Sequence, residues 1–164
     1  DARINLIYEG TNTIQSLDLL GRKVLGNQGA TLRKFGKLVA ALVQECATDA
    51  AMAPYIKPLA MLGEQLTQLT TELGLKAMQN PDEVGAAAVD YLRLVGHLVM
   101  AYFWARMAQV ALRAVASGST DSFYANKLQT ARFYFAQLFP ETATLMQRIR
   151  AGSDSLMDTQ AALA

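Results

Sequence analysis

The strongest constraint on the fold is a leucine repeat near the middle of the chain. Five leucines recur at alternating steps of three and four: Leu59, Leu62, Leu66, Leu69 and Leu73. This spacing places them on one narrow seam of an α-helix, the pattern with which helices pair. The seam lasts for two heptads, which predicts a helix of about residues 53–79 in a bundle rather than in an extended coiled coil.

A second long helix is predicted directly after the first. Asn80 is expected to cap it, Pro81 to take its first position and Glu83 to reach back to the cap amide. The segment to about residue 116 is apolar on most sides, which predicts a central helix covered by neighbours or by a second subunit. Its longest run without a charge, residues 94–105, is shorter than the roughly 20 residues of a membrane span, so no span is expected.

Shorter helical patterns account for most of the remaining chain. A helix capped by Thr11 or Asn12 is expected to reach about residue 25, and three more cover about residues 30–48, 120–139 and 140–151. No segment alternates apolar and polar residues as a strand does. Short loops between long helices favour antiparallel neighbours, so the predicted fold is all-α, an up-down bundle of about four to six helices.

Two of these shorter helices have a clear inward face. The apolar residues expected to face inward in the helix of residues 30–48 are Leu32, Phe35, Leu38, Val39, Leu42, Val43 and Cys46. Those expected to face inward in the helix of residues 120–139 are Leu128, Ala131, Phe135 and Leu138.

The charges are nearly balanced over the whole chain. Fifteen basic and fourteen acidic side chains give a net charge of +1, so no global field favours nucleic acid or an anionic membrane. The first forty residues are more basic, which is typical of a solvated face; a surface near a phosphorylated ligand or a subunit contact is the alternative. The basic residues concerned are Arg3, Arg22, Lys23, Arg33, Lys34 and Lys37.

Few side chains are candidates for chemistry. His97 is the only histidine and lies in the most apolar helix, so we expect a core or interface histidine bonded to a neighbouring group. A transition-metal site needs further His or Cys ligands, so no metal site is expected. Cys46, the only cysteine, falls on the apolar side of its helix and is expected to be buried. Ser16 and Ser153 have no base in view in the sequence.

The most informative position is Glu9, on a predicted turn between two helical segments. Gly10 can adopt a positive φ in such a turn, and the amides of the helix that begins at Thr11 to Thr13 can bind an anion. A carboxylate here suits a base beside a phosphate-bearing cofactor. A Glu-Gly pair at a helix break is also common in surface turns, so the turn alone leaves both interpretations open.

The residues around Glu9 form a long and specific string. Residues 3–15 read RINLIYEGTNTIQ, and residues 19–23 read LLGRK. This string closely resembles the C-terminal signature of the acyl-CoA dehydrogenase family. The resemblance implies that the chain is a C-terminal part of such an enzyme, with residues 1–28 ending the helical domain that the family shares.

The resemblance also implies a role for each residue of the motif. The family's glutamate at this position is the base that removes the α-proton of an acyl-CoA while the β-hydrogen leaves as hydride to FAD, which implies Glu9 as the catalytic residue. Gly10 and Tyr8 are implied to lie against the substrate. The residues implied to lie by the flavin dinucleotide are Thr11, Asn12 and Thr13.

Further expectations follow from what the family is known to do. FAD is the implied cofactor, an acyl-CoA the implied substrate and electron-transfer flavoprotein the implied electron acceptor. The whole protein is expected to be a homo-oligomer in the bacterial cytoplasm. Since the family's other flavin-binding parts precede the motif, this chain alone is expected to be inactive and to hold no FAD.

The region after residue 28 is longer than in ordinary members of the family. Residues 29–153 are expected to form an additional helical bundle, and residues 154–164 a frayed tail. Such an extension resembles the larger bacterial subgroup that includes methylmercaptopropionyl-CoA dehydrogenase. The alternative is a helical module for oligomerisation or structure, without chemistry of its own, in which the leucine seam and the apolar helix after it bury against a second subunit.

Overall fold

The computed structural model describes Ile4 and residues 11–158, and every regular element in this part of the chain is helical. The predicted all-α bundle is confirmed. The first elements are α1 (Asn12–Leu17), which continues as a π-helical segment (Asp18–Val24) and a 3-10 turn (Leu25–Asn27), then α2 (Ala30–Glu45), α3 (Ala53–Gln79) and α4 (Asp82–Ala116). They are followed by α5 (Ser122–Phe133), which continues as a π-helical segment (Tyr134–Leu138), then α6 (Glu141–Ala151) and α7 (Asp154–Met157).

The centre of the core lies between α3 and α4. The helix α3 spans the residues predicted from the leucine repeat, and all five leucines of the seam are buried, at 2% exposure or less. They belong to the same core as the alanines on α4, among them Ala101, Ala105 and Ala108. Burying a leucine side chain stabilises a fold by about 1.5–3 kcal/mol. The seam is therefore buried by helices of the same chain, and the prediction that it buries against a second subunit is wrong.

The helix α4 is central, but only part of its surface is covered. It packs against α1, α3, α5 and α6, which confirms its predicted position in the bundle. Neighbouring helices of the same chain do not cover all of it, because Met100, Phe103 and Val110 lie on an exposed face; whether a second subunit covers that face stays a prediction. By length and composition alone α4 could cross a bilayer, yet its opposite face is buried inside the bundle.

The start of α4 differs from the predicted capping box. Asn80 Oδ1 accepts from the Asp82 amide at 3.1 Å, as expected of a capping side chain, but the helix begins at Asp82, so Pro81 precedes it instead of taking its first position as predicted. The Glu83 carboxylate turns away from this end of the helix. Its Oε1 accepts hydrogen bonds from the Ser153 amide at 2.9 Å and the Ser153 hydroxyl at 2.6 Å. A tertiary contact has replaced the local one.

A π-helical turn explains one error in the predicted core. Leu128 and Ala131 face inward as expected, but Leu138 is 47% exposed and Tyr134 is buried in its place. The wider i→i+5 turn of a π-helix shifts the register, so a periodicity of 3.6 residues fails beyond it. On α2 the predicted stripe is also too wide, because Leu38 is 52% exposed whereas Val39 is buried.

Candidate functional site

The structure describes only part of the predicted site. Tyr8, Glu9 and Gly10 lie outside the described residues, so their predicted roles stay predictions. The three residues predicted to lie by the flavin, Thr11, Asn12 and Thr13, are exposed at the start of α1. Thr11 precedes the helix, but its side chain makes no capping hydrogen bond, so the predicted side-chain cap at this residue is wrong.

The helix behind the motif is firmly anchored on the bundle. Ser16 is fully buried, and its hydroxyl donates to the Thr13 carbonyl at 2.8 Å. Leu20 and Val24 are buried as well. A Cβ at Gly21 would lie 3.8 Å from a methyl group of Val84, in the first turn of α4. The residues that follow the motif are therefore fixed relative to α4.

The basic residues near the motif are paired or solvated. Arg22 and Lys23 both bind Asp18, the second at 3.0 Å, and both basic side chains are largely exposed. The hydrogen bond from Arg22, followed by that from Lys23, lowers the pKa of Asp18 below its usual value. Arg33 donates to the Gln28 carbonyl. These contacts favour the interpretation of Arg22, Lys23 and Arg33 as parts of a solvated face over the interpretation that they bind a phosphorylated ligand.

His97 lies in a hydrogen-bonded cluster away from the motif. Its Nδ1 is 3.1 Å from the Tyr134 hydroxyl, and its Nε2 is 3.0 Å from Oε2 of Glu141, which also binds Arg93. The prediction that His97 is bonded to neighbouring groups is confirmed, and its side chain is 15% exposed. The hydrogen bond with His97 holds the pKa of Glu141 below its usual range, and burial raises the pKa of Tyr134 to about 12. The cluster joins α4 to the end of α5 and to α6.

The remaining candidates are buried. Cys46 is buried as predicted, it accepts from the Gln109 side-chain amide at 3.1 Å, and burial raises the pKa of its thiol. The prediction that Ser153 has no base nearby is wrong, since its hydroxyl binds the Glu83 carboxylate. Both residues are buried, however, so this pair cannot meet a substrate. Within the described residues, no group of three or more His, Cys, Asp or Glu side chains could hold a metal ion.

A cleft that the sequence did not predict opens between α2 and α3. Its volume is about 810 Å³, and Val39, Leu66 and Leu98 line its apolar part. The charged residues of the lining carry both signs, with Arg33 and Lys37 positive and Glu64 negative. Small residues at several lining positions leave the space open, and no periodicity of apolar residues reveals such a gap.

Comparison with known proteins identifies the family. The family described as "Acetyl-CoA dehydrogenase C-terminal like" matches residues 35–160, which is most of the chain. The chain belongs to the acyl-CoA dehydrogenase family. The match falls on the region after the motif, so the resemblance first seen in the string around Glu9 is confirmed by a different part of the sequence.

Three curated proteins show the same relationship. The chain is 35% identical over 158 residues to 3-methylmercaptopropionyl-CoA dehydrogenase of Ruegeria pomeroyi, covering 96% of this chain and 27% of that protein. It is 29% identical over 171 residues to the broad-specificity linear acyl-CoA dehydrogenase of Mycobacterium tuberculosis, with the same coverage. It is 26% identical over 165 residues to butyryl-CoA dehydrogenase of Syntrophomonas wolfei, covering 96% of this chain and 26% of that protein.

The chain spans about a quarter of the length of these acyl-CoA dehydrogenases. In the structure Thr11 precedes α1, Asn12 and Thr13 are its first two residues, and all three side chains are exposed. Their contact with a flavin, and the catalytic role of Glu9, remain predictions. Sequence reasoning missed the Glu83–Ser153 pair, because nothing in a sequence indicates which buried partner a capping-box glutamate will choose.

Proposed function

We propose that this chain is part of a flavin-dependent acyl-CoA dehydrogenase, in which Glu9 is the catalytic base. The observation that supports the proposal most strongly is that the chain belongs to the family and that its three curated relatives are named as acyl-CoA dehydrogenases. The motif in which Glu9 stands matches the family's signature over residues 3–15.

The proposed reaction forms a double bond between the α- and β-carbons of an acyl-CoA thioester. The Glu9 carboxylate takes the α-proton, and the electron pair of the broken α-C–H bond becomes part of the new C–C double bond. When bound, FAD would supply the acceptor for the β-hydrogen as hydride, so that the substrate would lose two hydrogens in all. Gly10 and Tyr8 are proposed to lie against the substrate.

The residues that follow Glu9 suit a flavin dinucleotide. Thr11, Asn12 and Thr13 carry hydroxyl and amide groups on an exposed helical turn, where they can donate to phosphate or ribose oxygens. The buried Ser16 and Leu20 hold that turn on the bundle. A rigid support of this kind limits how far the polar groups can move relative to a ligand.

The environment expected around Glu9 would make it a better base. Enclosure beside an apolar acyl chain and a flavin disfavours the charged carboxylate, which raises the pKa of such a group towards the operating pH. A carboxylate that retains its proton more strongly is better able to take one from a weak carbon acid.

This chain is proposed to need the rest of the enzyme for activity. The family's other flavin-binding parts precede the motif, and the chain covers only about a quarter of its relatives. Electron-transfer flavoprotein as the acceptor, a homo-oligomeric enzyme and a place in the bacterial cytoplasm are parts of the same proposal. The alternative, an assembly module without chemistry, is weakened because the Leu59–Leu73 seam is buried inside the chain.

A comparison of two proteins tests the proposal. The longer polypeptide that carries this chain should purify with bound FAD, and a series of acyl-CoAs of graded length should bleach its visible absorbance under anaerobic conditions. The 164-residue chain should show neither property. A longer polypeptide that binds no flavin, or whose flavin is bleached by no acyl-CoA of the series, would overturn the assignment.

A further inference from the structure

The start of α6 is held by four side chains around the only histidine of the chain. His97 on α4 approaches the Tyr134 hydroxyl through Nδ1, at 3.1 Å, and Oε2 of Glu141 through Nε2, at 3.0 Å. The Tyr134 hydroxyl also donates to the backbone carbonyl of His97 at 3.1 Å, and Glu141 binds Arg93 as well. We call these four residues the His97 cluster. It joins α4 to the π-helical segment and to the first residue of α6.

Three members of the His97 cluster keep their charge across neutral pH. Burial raises the pKa of Tyr134 to about 12, so its hydroxyl keeps its proton. The hydrogen bond with His97 lowers the pKa of Glu141 below its ordinary value of 4.5, so its carboxylate is ionised. Arg93 is charged at every pH of interest. Because histidine is the side chain type that ordinarily titrates near neutral pH, a change of pH acts on this cluster through His97.

All contacts of the cluster are satisfied together only when both ring nitrogens of His97 carry a proton. The Tyr134 hydroxyl has one proton and two acceptors within reach, the His97 carbonyl and Nδ1. When it donates to the carbonyl, Nδ1 must donate to the Tyr134 oxygen, while Nε2 donates to the Glu141 carboxylate, which only accepts. In the neutral ring Nε2 keeps its proton opposite the carboxylate, so the hydroxyl turns to Nδ1. The neutral ring therefore loses one contact, and its bond to Glu141 is no longer charge-assisted.

No further charged side chain takes over these contacts. The next ion pair between α4 and α6 is Asp90 with Arg148, which lies about two turns of α4 away from His97. Within the described residues, no charged side chain of α1, α3 or α5 is bonded to the His97 cluster. The His97 side chain is only 15% exposed, so water has limited access to replace a lost partner.

The two ends of α6 are held by different chemistry. Beyond its last residue, Glu83 accepts two hydrogen bonds from Ser153, and these bonds lower the pKa of Glu83, so this contact stays the same near neutral pH. The buried Leu145 and Met146 hold the middle of the helix. A change in the charge of His97 therefore acts on the start of α6 and leaves its end in place.

We propose that the His97 cluster is a pH-sensitive clamp on the start of α6. Doubly protonated His97 holds Glu141 and Tyr134 together on α4. Loss of one proton weakens both contacts, and the first turns of α6 then open more often while its end stays fixed by Glu83. The proposal goes beyond the dehydrogenase function and does not depend on it, because every contact that carries it lies within the described residues.

Hydrogen exchange tests the clamp without reference to activity. Exchange is followed by mass spectrometry in the longer polypeptide that carries this chain, at about pH 5.5 and about pH 8.5, on either side of the ordinary histidine value of about 6.5. Protection factors, which are corrected for the pH dependence of intrinsic exchange, are compared for residues 141–147 and residues 148–154. The matched variant is His97→Gln, whose amide is uncharged at both pH values.

The proposal expects protection of residues 141–147 to fall roughly threefold at the higher pH, because a hydrogen bond from a charged donor is stronger than one from a neutral donor and solvent screens part of the difference. Residues 148–154 should keep their protection, and the His97→Gln variant should show no fall in either segment. Unchanged protection of residues 141–147 in the parent protein, or an equal fall in the variant, would overturn the proposal.

A second measurement reads the ring itself. Since His97 is the only histidine of the 164-residue chain, nitrogen NMR spectra of labelled chain report its two ring nitrogens without overlap. Both nitrogens should carry a proton at the lower pH, and at the higher pH the remaining proton should lie on Nε2. A neutral ring that keeps its proton on Nδ1 would overturn the proposal, because the Tyr134 hydroxyl would then have no reason to turn.

Discussion

Glu83 and Ser153, which lie 70 residues apart in the sequence, are joined by two hydrogen bonds to a single carboxylate oxygen. Oε1 of Glu83 accepts from the Ser153 amide at 2.9 Å and from its hydroxyl at 2.6 Å. A Cβ at Gly152 would come within 3.1 Å of both carboxylate oxygens, and this residue has a φ of 77°. Glycine is therefore required there on two grounds, and the contact fixes the end of α6 to the start of α4.

Removal of the Glu83 carboxylate should destabilise the bundle. Glu83→Ala leaves the buried Ser153 amide and hydroxyl without their acceptor, which should lower the free energy of unfolding by about 1–3 kcal/mol. Urea denaturation followed by circular dichroism measures the change. The control is Glu64→Ala, an exposed position on α3, where the change should stay within about 0.5 kcal/mol. Equal midpoints for Glu83→Ala and the parent chain would contradict the structural role of this contact.

The same contact predicts a dependence of stability on pH. The hydrogen bonds from Ser153 hold the pKa of Glu83 below its ordinary value of 4.5. A depressed pKa in the folded state contributes stability that is fully present above the unfolded pKa and is lost as the pH falls through the folded pKa. The stability difference between the parent chain and Glu83→Gln should therefore be constant near neutral pH and shrink below about pH 4.5. A difference that grows on acidification would have the wrong sign.

His97 and Glu141 should be energetically coupled. Their side chains meet at 3.0 Å, and His97 also bonds Tyr134, so the pair joins α4 to α6 and to the end of α5. Because Glu141 is 39% exposed, solvent screens the pair, and a double-mutant cycle with His97→Ala and Glu141→Ala should give about 0.5 kcal/mol. The free energy of unfolding is measured by thermal or urea unfolding for the parent chain, the two single variants and the double variant. Strict additivity of the two single changes would show that the contact contributes nothing.

Thr70 and Tyr91 should differ in their tolerance of substitution. The two hydroxyl oxygens are 2.6 Å apart, and the Thr70 hydroxyl also donates to the Leu66 carbonyl, so Tyr91 is the donor between them. Thr70→Val leaves the fully buried Tyr91 hydroxyl without an acceptor, at a cost of about 1–3 kcal/mol. Tyr91→Phe removes the hydroxyl itself and should cost about 0.5–1.5 kcal/mol. Urea denaturation gives both values, and the reverse order would contradict the assigned donor.

The sequence predicted those parts of the fold whose pattern allows only one interpretation. The leucine seam of residues 59–73 can face in one direction only, so both the bounds of α3 and its burial were predicted correctly. An apolar pattern around a whole helix does not reveal which face is covered, and the exposed Phe103 was missed for this reason. A local capping rule predicts that the Glu83 carboxylate accepts from the cap amide. In the structure it accepts from the amide and hydroxyl of Ser153 instead, and only the tertiary structure brings these donors close.

The predicted site depends on a different kind of information. Periodicity and composition identify Glu9 only as a carboxylate on a turn, and the family signature around it implies the chemistry. The structure adds the support behind the motif, with Ser16 and Leu20 buried and Thr11 to Thr13 exposed. The full burial of Ser16 could not have been derived from the sequence, since serine is mostly an exposed residue and nothing in the spacing marks this one as buried.

The most direct test of the central claim is a substitution of Glu9 in the longer polypeptide. Glu9→Gln preserves the shape of the side chain but removes the base, so FAD should remain bound while anaerobic bleaching by acyl-CoA slows by roughly 10²–10⁴-fold, the usual contribution of a general base. Glu64→Gln, at an exposed position on α3, is the matched control and should bleach at the parent rate. Bleaching of the Glu9→Gln flavin at the parent rate would contradict the assignment of Glu9 as the catalytic base.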